Sequence, residues 1–423
     1  MKEYFRSMSF TTTESRWTDV YLAAGARGVS VCGDFLAATA LALALQSAGA
    51  GGLAVSGLLL AAALPLAVLA PITGRIADRV DSRKLLIIAG IAQALVCVAL
   101  AFAEGTVVII ALVAVLACGL AVTQPTLAAL LPAMVRREHL ARASGINQTA
   151  GMVGMLIAPA AAGLLVGQFG IRVPLLIDAA TYLSLVAAGL LIRTRRVPAA
   201  GLARSETVAW RLRDDRLVAV LVGAIAAVVA GVGAITVIEV FFIRETLGAS
   251  TTVFGLLSAT WTAGMLAGAW FFGRVGDRMP GPARMVQVTL LCAGVTCAVV
   301  LLAAGAWHAL LLVPLWLIGG AGNGGINVLT NVVMAERVPE QARGQAFATL
   351  GAAVQGAGML GYAVAGPLID RFEPRLLVAA AGVAGLVAVA VCLPVVRRAG
   401  REIAPLPQVG DRQVQLAGDS VKT

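Results

Sequence analysis

Gly74-Arg75-Ile76-Ala77-Asp78-Arg79 closes one apolar stretch, and Gly273-Arg274-Val275-Gly276-Asp277-Arg278 closes a second at an offset of 199 residues. A further apolar run follows each copy, from about Leu85 and Met285. A charged hexapeptide that returns at near half the length of a 423-residue chain, between apolar runs both times, predicts two similar halves of one membrane protein. Other matches keep the halves in step. Ala141-Arg142 corresponds to Ala342-Arg343 and Met155-Leu156 to Met359-Leu360, the offset drifting only to 204.

Composition points the same way. The chain is 59% hydrophobic and 13% charged, whereas soluble domains carry about 25% charged residues. That much apolar surface does not fit an ordinary water-soluble core, so lipid is the expected solvent. A net charge of +10 raises nucleic-acid binding. The charges sit in short clusters between apolar runs, however, which is the pattern of the positive-inside rule, and nucleic acid is set aside. The six cysteines (Cys32, Cys97, Cys118, Cys292, Cys297, Cys392) lie inside apolar runs without metal spacing or a disulfide framework. His139 and His308 fall near span ends, so no metal site is expected. No nucleotide loop or activated-nucleophile motif argues for an enzyme.

A helix needs about 20 mostly apolar residues to cross a bilayer. Twelve stretches qualify: 20–46, 54–74, 85–103, 106–131, 143–167, 172–192, 217–243, 252–273, 285–304, 309–335, 344–369 and 375–396. Lys and Arg gather in alternate connections: Arg75 to Lys84, Arg136 to Arg142, Arg193 to Arg216, Arg274 to Arg284, Arg337 with Arg343, and Arg397 to Arg401. The other connections hold only Arg172, Arg244, Arg371 and Arg375. This bias predicts a multi-pass protein of the plasma (inner) membrane with both termini cytoplasmic. The polar start, 1–19, reads as a cytoplasmic lead-in with no cleavable signal peptide. Residues 20–193 form a first six-helix half and 194–215, with Pro198, Gly201 and a basic cluster, a cytoplasmic linker. A second half spans 216–398, and 399–423 is a polar tail expected to be disordered. The expected fold is therefore an all-α membrane protein of twelve helices in two pseudo-symmetric halves. Parallel repeats of this kind are a known plan for secondary transporters, with the substrate site between the halves.

Gly74-x-x-x-Asp78-Arg79-x-x-x-Arg83-Lys84 and its second copy, Gly273-x-x-x-Asp277-Arg278, resemble the loop signature of the major facilitator superfamily. With twelve spans and the central linker, the resemblance covers nearly the whole chain. It implies that Asp78, Arg79 and Arg83 latch the cytoplasmic gate in the outward-facing state. Without that role the loop is simply a positive topogenic signal. Met279-Pro280-Gly281-Pro282 departs from the pattern, so the weaker latch is expected in the second copy. In span five, Gly145, Gly154, Ala158-Pro159 and Ala162-Gly163 resemble the signature of the superfamily's drug/proton antiporters, with alanines in place of two glycines. Ordinary small-residue packing is the alternative. The resemblance implies export driven by the proton gradient, with no cofactor. Many proton-coupled members carry an arginine in span four, and 107–131 has none.

Charges inside spans are costly and are functional candidates by default. Arg27, Asp34, Asp178 and Glu239 stand out. Arg27 and Asp34 share a helix face about 10 Å apart along the axis. Ser30-x-x-Gly33-Asp34 resembles the macrolide-efflux-like branch. Asp34 ranks first for holding a proton or a cationic substrate, against a structural hydrogen bond or a pair with Arg27. Glu239 and Asp178 lie near outer ends; Glu239 guards the outer cavity or binds a cation, or is an interfacial charge. Asn323, Asn327 and Asn331 repeat at i, i+4, i+8 on one helix face. The resemblance places spans one, four, seven and ten around the cavity, which makes Asn323, Asn327 and Gln124 cavity candidates. The leading reading is proton-coupled efflux of small amphipathic or cationic compounds, drug or metabolite, by a monomer. Uptake or facilitated diffusion of a polar metabolite, and a non-transporting sensor on the same fold, stay open as alternatives.

Overall fold

The computed structural model describes residues 15–194, 212, 215–276, 278–339 and 342–402. Among the described residues, twelve helical segments are long and apolar enough to cross a membrane. In the first half they are α1 (Trp17–Ser47), α2 (Gly51–Arg79), α3 (Ser82–Ala101), α4 (Thr106–Met134), α5 (Leu140–Phe169) and α6 (Arg172–Leu191). The second half has α7 (Arg216–Val232), α8 (Ile235–Phe241), α9 (Thr251–Gly276), α10 (Pro282–Ala303), α11 (Leu312–Arg337), α12 (Arg343–Ile369) and α13 (Pro374–Glu402). Each expected span is found. The ends run longer than hydropathy suggests, because polar residues continue a helix once it leaves the apolar layer.

Three differences follow from that. Helix α2 continues to Arg79, so Gly74 to Arg79 forms its last turns and only Val80 and Asp81 connect it to α3. Asp81 then caps α3 by accepting the Arg83 backbone N–H at 2.7 Å. Residues 17–19 belong to α1, where buried Asp19 accepts from the Thr194 backbone N–H at 2.9 Å and its hydroxyl at 2.6 Å. Helix α13 runs to Glu402, into the stretch expected as tail. Span seven is not one helix. It breaks at Gly233–Ala234 between α7 and α8 and ends in a wider turn over Phe242–Thr246. Most of the linker and the end of the tail lie outside the described residues.

The helix pairings repeat between halves: α2 packs on α4 as α9 does on α11, α3 on α6 as α10 on α13, and α1 on α6 as α7 on α13. Tight connections turn at glycines with left-handed backbone, Gly49 (φ 68°) and Gly170 (φ 72°) among them. Asp215 caps α7 by accepting from the Leu217 and Val218 N–H groups and pairs with Arg337 at 2.8 Å, which pins the start of the second half.

The halves meet unevenly. Call the end bearing Arg83, Lys84 and Arg136 the basic end. Each hydrogen bond and close backbone approach between halves, among the described residues, lies toward the opposite end. Asp370 accepts the Gly52 N–H at 2.8 Å at the start of α2. Gln46 donates to Glu245 at 3.0 Å and accepts from Arg244 at 3.3 Å. A Cβ on Gly255 would stand 2.2 Å from the Pro159 carbonyl oxygen, so α5 and α9 touch backbone to backbone. Three of the four arginines at this end are engaged in packing. Arg244 also donates to the Ala249 carbonyl at 2.5 Å, Arg375 to that of Ala304 at 2.8 Å, and the Arg172 guanidinium lies 5.6 Å from the Phe102 ring centre.

Candidate functional site

A cavity of about 480 Å³ lies between the halves. Phe35, Ala38, Thr39 and Ala42 present one face of α1 to it; Met155 and Pro159 come from α5, Thr236 and Glu239 from α8, Trp261 and Met265 from α9, Trp316 and Asn323 from α11. A second chamber of about 410 Å³ shares Val229, Val232, Thr296 and Asn323 with the first and continues past Asn327 and Asn331. The lining is apolar with a few polar groups, the usual make-up of a small-molecule site. Toward the basic end, Gln124, Asn327, Asn331, Gly344 and Gly351 are exposed. The space is thus closed by the contacts between halves at one end and open at the other.

Glu239 owes its position to the break in span seven. Restarting at Ile235 puts it in the second turn of α8, on the cavity wall. Its carboxyl forms no hydrogen bond or ion pair with the described residues. In the same cavity the Trp261 and Trp316 rings meet edge to face, centres 6.0 Å apart at 80°. A cavity that holds an unpaired carboxyl and two indoles suits a ligand that carries both a positive charge and an aromatic surface. Asn323 and Asn327 are linked through the Asn327 side-chain amide, which donates to the Asn323 side-chain oxygen at 2.9 Å. Gln124 lies exposed on α4 and is not among the residues lining either chamber.

Asp34 is placed elsewhere. It is not among the cavity-lining residues, and it turns toward α6, where the buried Tyr182 hydroxyl donates to its Oδ1. One turn away on α6, Asp178 is fully buried. It accepts from the Cys97 thiol of α3 at 3.1 Å and the Thr181 hydroxyl at 3.1 Å. Gly33 makes the approach of α1 to α6 possible: a Cβ there would stand 2.2 Å from Asp178 Oδ1. Two carboxyls thus share one buried site between α1, α3 and α6, with no Lys or Arg partner among the described residues. Sequence reasoning singled out Asp178 but ranked it below Asp34 as a charge near a helix end. The spacing Asp178-x-x-x-Tyr182, which stacks both groups on one helix face, was the available signal. Arg27 does not pair with Asp34. Its Nε is buried without a hydrogen-bond partner and lies against Gly151 of α5.

The span-five residues divide by neighbour. A Cβ on Gly154 would meet the Gly28 carbonyl oxygen of α1 at 2.5 Å, and one on Gly163 the Thr251 carbonyl oxygen of α9 at 2.3 Å. Pro159 supplies the carbonyl that faces Gly255, while Gly145 has open space around it. One face of α5 therefore joins α1 within its half and α9 across the interface. Of the hexapeptide copies, the side chains of Gly74, Asp78 and Arg79 and the whole of Asp277 lie outside the described residues. Arg83 and Lys84 start α3, Gly273 has open space around it, and Arg278 is exposed in the turn after α9.

The seal at the opposite end makes a prediction. Replacing Gln46 and Asp370 together by Ala removes three of the four hydrogen bonds between halves among the described residues, each worth about 1 kcal/mol, and leaves only the long one from Thr252 to the Gly163 carbonyl at 3.5 Å. A cysteine at Thr39, in a chain otherwise free of cysteine, should then react about tenfold faster with an impermeant maleimide added at that end. An unchanged rate means the glycine contacts alone hold the seal.

The family profile of the Major Facilitator Superfamily matches residues 23–241 and again 220–417. A multidrug resistance protein MdtG from Salmonella paratyphi C is 27% identical over 231 residues, 53% of this chain and 57% of that protein, so the chain spans just over half of its length. The uncharacterized MFS-type transporter YfiS of Bacillus subtilis is 25% identical over 358 residues, covering 81% of this chain and 84% of the relative. Among solved structures, a bacterial homologue of the human lysosomal transporter Spinster superposes with a TM-score of 0.70 at 16% identity, covering 90% of this chain and 97% of that one. A bacterial homologue of the iron transporter ferroportin does so with 0.69 at 16% identity, covering 92% and 100%. Twelve spans among the described residues in two matching halves, a cavity between them and a family match across nearly the full length leave one assignment: the chain belongs to the Major Facilitator Superfamily and is a multi-pass membrane protein.

Proposed function

We propose that this transporter exports amphipathic, cationic organic compounds in exchange for protons, by alternating access. The observation that carries the reading is the separation of two acidic sites. Glu239, its carboxyl without a partner among the described residues, lines the cavity that Trp261 and Trp316 also line, while Asp34 and Asp178 share a site on the far side of α1. Glu239 then meets the ligand's charge, and the carboxyl pair holds the proton. Helix α1 lies between the two, with Phe35, Ala38 and Ala42 facing the ligand and Asp34 facing α6. A change of proton occupancy at the pair alters how α1 seats on α6, and through Gly28 and Gly154 how α1 seats on α5.

The Lys and Arg bias supports a cytoplasmic basic end and cytoplasmic termini, with the protein in a plasma membrane. The cavity then opens inward, the state in which an exporter loads. Asp78, Arg79 and Arg83, with Asp277 and Arg278, would close that end in the other state. The name of the multidrug-resistance relative supports drug-like substrates. A single chain encloses the cavity, so a monomer suffices, and the proton gradient replaces any cofactor.

Inverted membrane vesicles with an acidified interior test this. A lipophilic aromatic cation should accumulate inside and leave when a protonophore collapses the gradient. Accumulation that ignores the gradient sinks proton exchange. Glu239→Gln should raise KM for the cation about tenfold and leave a neutral aromatic analogue within twofold; equal effects on both remove Glu239 from charge recognition.

A further inference from the structure

A groove of about 430 Å³ runs along the outer surface of the second half, between α10 and α13. It shares no lining residue with the first chamber of the central cavity and only Leu290 with the second. Helix α10 contributes Gln287, Leu291, Val295 and Ala298, spaced to fall on one face, and α13 contributes Leu386, Val389 and Leu393 in the same way. Leu291 is 66% exposed, so this face looks out to lipid and not into the bundle. Gly294 sets its depth. A Cβ there would have only Val389 for a neighbour, at 3.7 Å, so the missing side chain leaves room that no other group fills.

The charge lies at one end only. Arg284, in the first turn of α10, and Arg397, in the last turns of α13, both line the groove at the basic end. Among the described residues Arg284 donates one side-chain hydrogen bond, to the neutral Gln287 at 3.3 Å, and neither arginine has a carboxylate partner. From Gln287 to Ala298 the rise is about 16 Å. That is close to the depth of one leaflet, about 15 Å of a 30 Å hydrocarbon core.

We infer that this groove is a binding site for an anionic phospholipid, its phosphate held between Arg284 and Arg397 and one acyl chain lying along Leu291, Val295 and Leu393. Charge and shape select the occupant together. Two unpaired guanidiniums match a phosphate that carries net negative charge, and basic pockets between spans at the cytoplasmic leaflet are where such headgroups collect. A free phosphate would leave the apolar length of the groove unused, and a zwitterionic lipid would bring its own cation toward the arginines. The inference does not depend on what the central cavity carries.

The test is native mass spectrometry of the full chain, purified and then offered equal amounts of phosphatidylglycerol and phosphatidylcholine. The unmodified protein should retain phosphatidylglycerol preferentially. Arg284→Gln with Arg397→Gln should cut that retention at least fivefold. Gly294→Leu fills the groove while keeping both arginines, and should cut it by a similar factor. Glycerol phosphate, the headgroup without chains, should fail to displace the lipid. Retention that is unchanged in both variants, equal retention of phosphatidylcholine, or displacement by glycerol phosphate would each overturn the site.

Discussion

Asp34→Asn should lower proton-driven transport in proteoliposomes at least tenfold, flatten its pH dependence, and leave binding of the aromatic cation within twofold. The reasoning begins with cost. An aspartate inside a membrane helix costs up to about 3 kcal/mol on insertion scales, and this chain places two aspartates together without a basic partner among the described residues. An asparagine oxygen accepts the Tyr182 hydroxyl as the carboxyl does, so the α1–α6 contact survives while the proton site is lost. Ligand binding should persist because Asp34 is not among the cavity-lining residues. Tyr182→Phe is the complementary probe. It removes the hydrogen bond and keeps both carboxyls, so driven transport should fall only partly and its pH dependence should shift without disappearing. Asp178→Asn should harm folding more, since Cys97 and Thr181 both donate to Asp178 and an amide group would turn a donor toward one of them. Uphill transport at the unmodified rate and with the same pH profile in Asp34→Asn would remove Asp34 from coupling.

The parts of this protein legible in sequence are those that depend on position along the chain. Apolar length gave the twelve spans, and Gly74 and Gly273 marked the same end of α2 and α9. Pairings across the bundle were hidden. Asp34 and Asp178 lie 144 positions apart, and only the packing of α1 on α6 brings them together. Asp178 sits about two turns into α6, which in sequence looks like an interfacial charge; its burial comes from α3 closing over it with Cys97. The reverse holds for Gln124. Its span was expected at the cavity, but side-chain direction within a uniformly apolar helix has no hydropathy signal to fix it, and it lines neither chamber. Glu239 reached the wall because span seven breaks at Gly233–Ala234, and the break shows in sequence only as Gly231 and Gly233 among apolar residues.

Gly324→Val should be the most destabilising single change, costing about 4 kcal/mol or more, the range reserved for a backbone clash or a lost core. Its basis is the contact of α9 with α11. A Cβ on Gly264 would stand 2.3 Å from the Leu317 carbonyl oxygen, and one on Gly268 would stand 2.1 Å from that of Ala321. From the other side, a Cβ on Gly320 would be 2.1 Å from the Trp261 carbonyl oxygen, and one on Gly324 would be 2.1 Å from that of Met265. Each helix thus offers two glycines four residues apart to the other's backbone, the small-residue ridge by which membrane helices associate when lipid gives no hydrophobic drive. Backbone atoms cannot yield as a flexible side chain does, so a branched side chain at Gly324 must push the helices apart along their length. Thermal melting and monodisperse yield of the purified protein measure this. Gly273→Ala is the control on α9, with open space around its Cβ, and should melt within a degree or two of the unmodified chain. Equal melting of both variants would show that the ridge is not what holds α9 to α11. Trp261 and Met265 supply carbonyls to this contact and side chains to the cavity wall, so milder variants such as Gly320→Ala should weaken ligand binding before they unfold the protein.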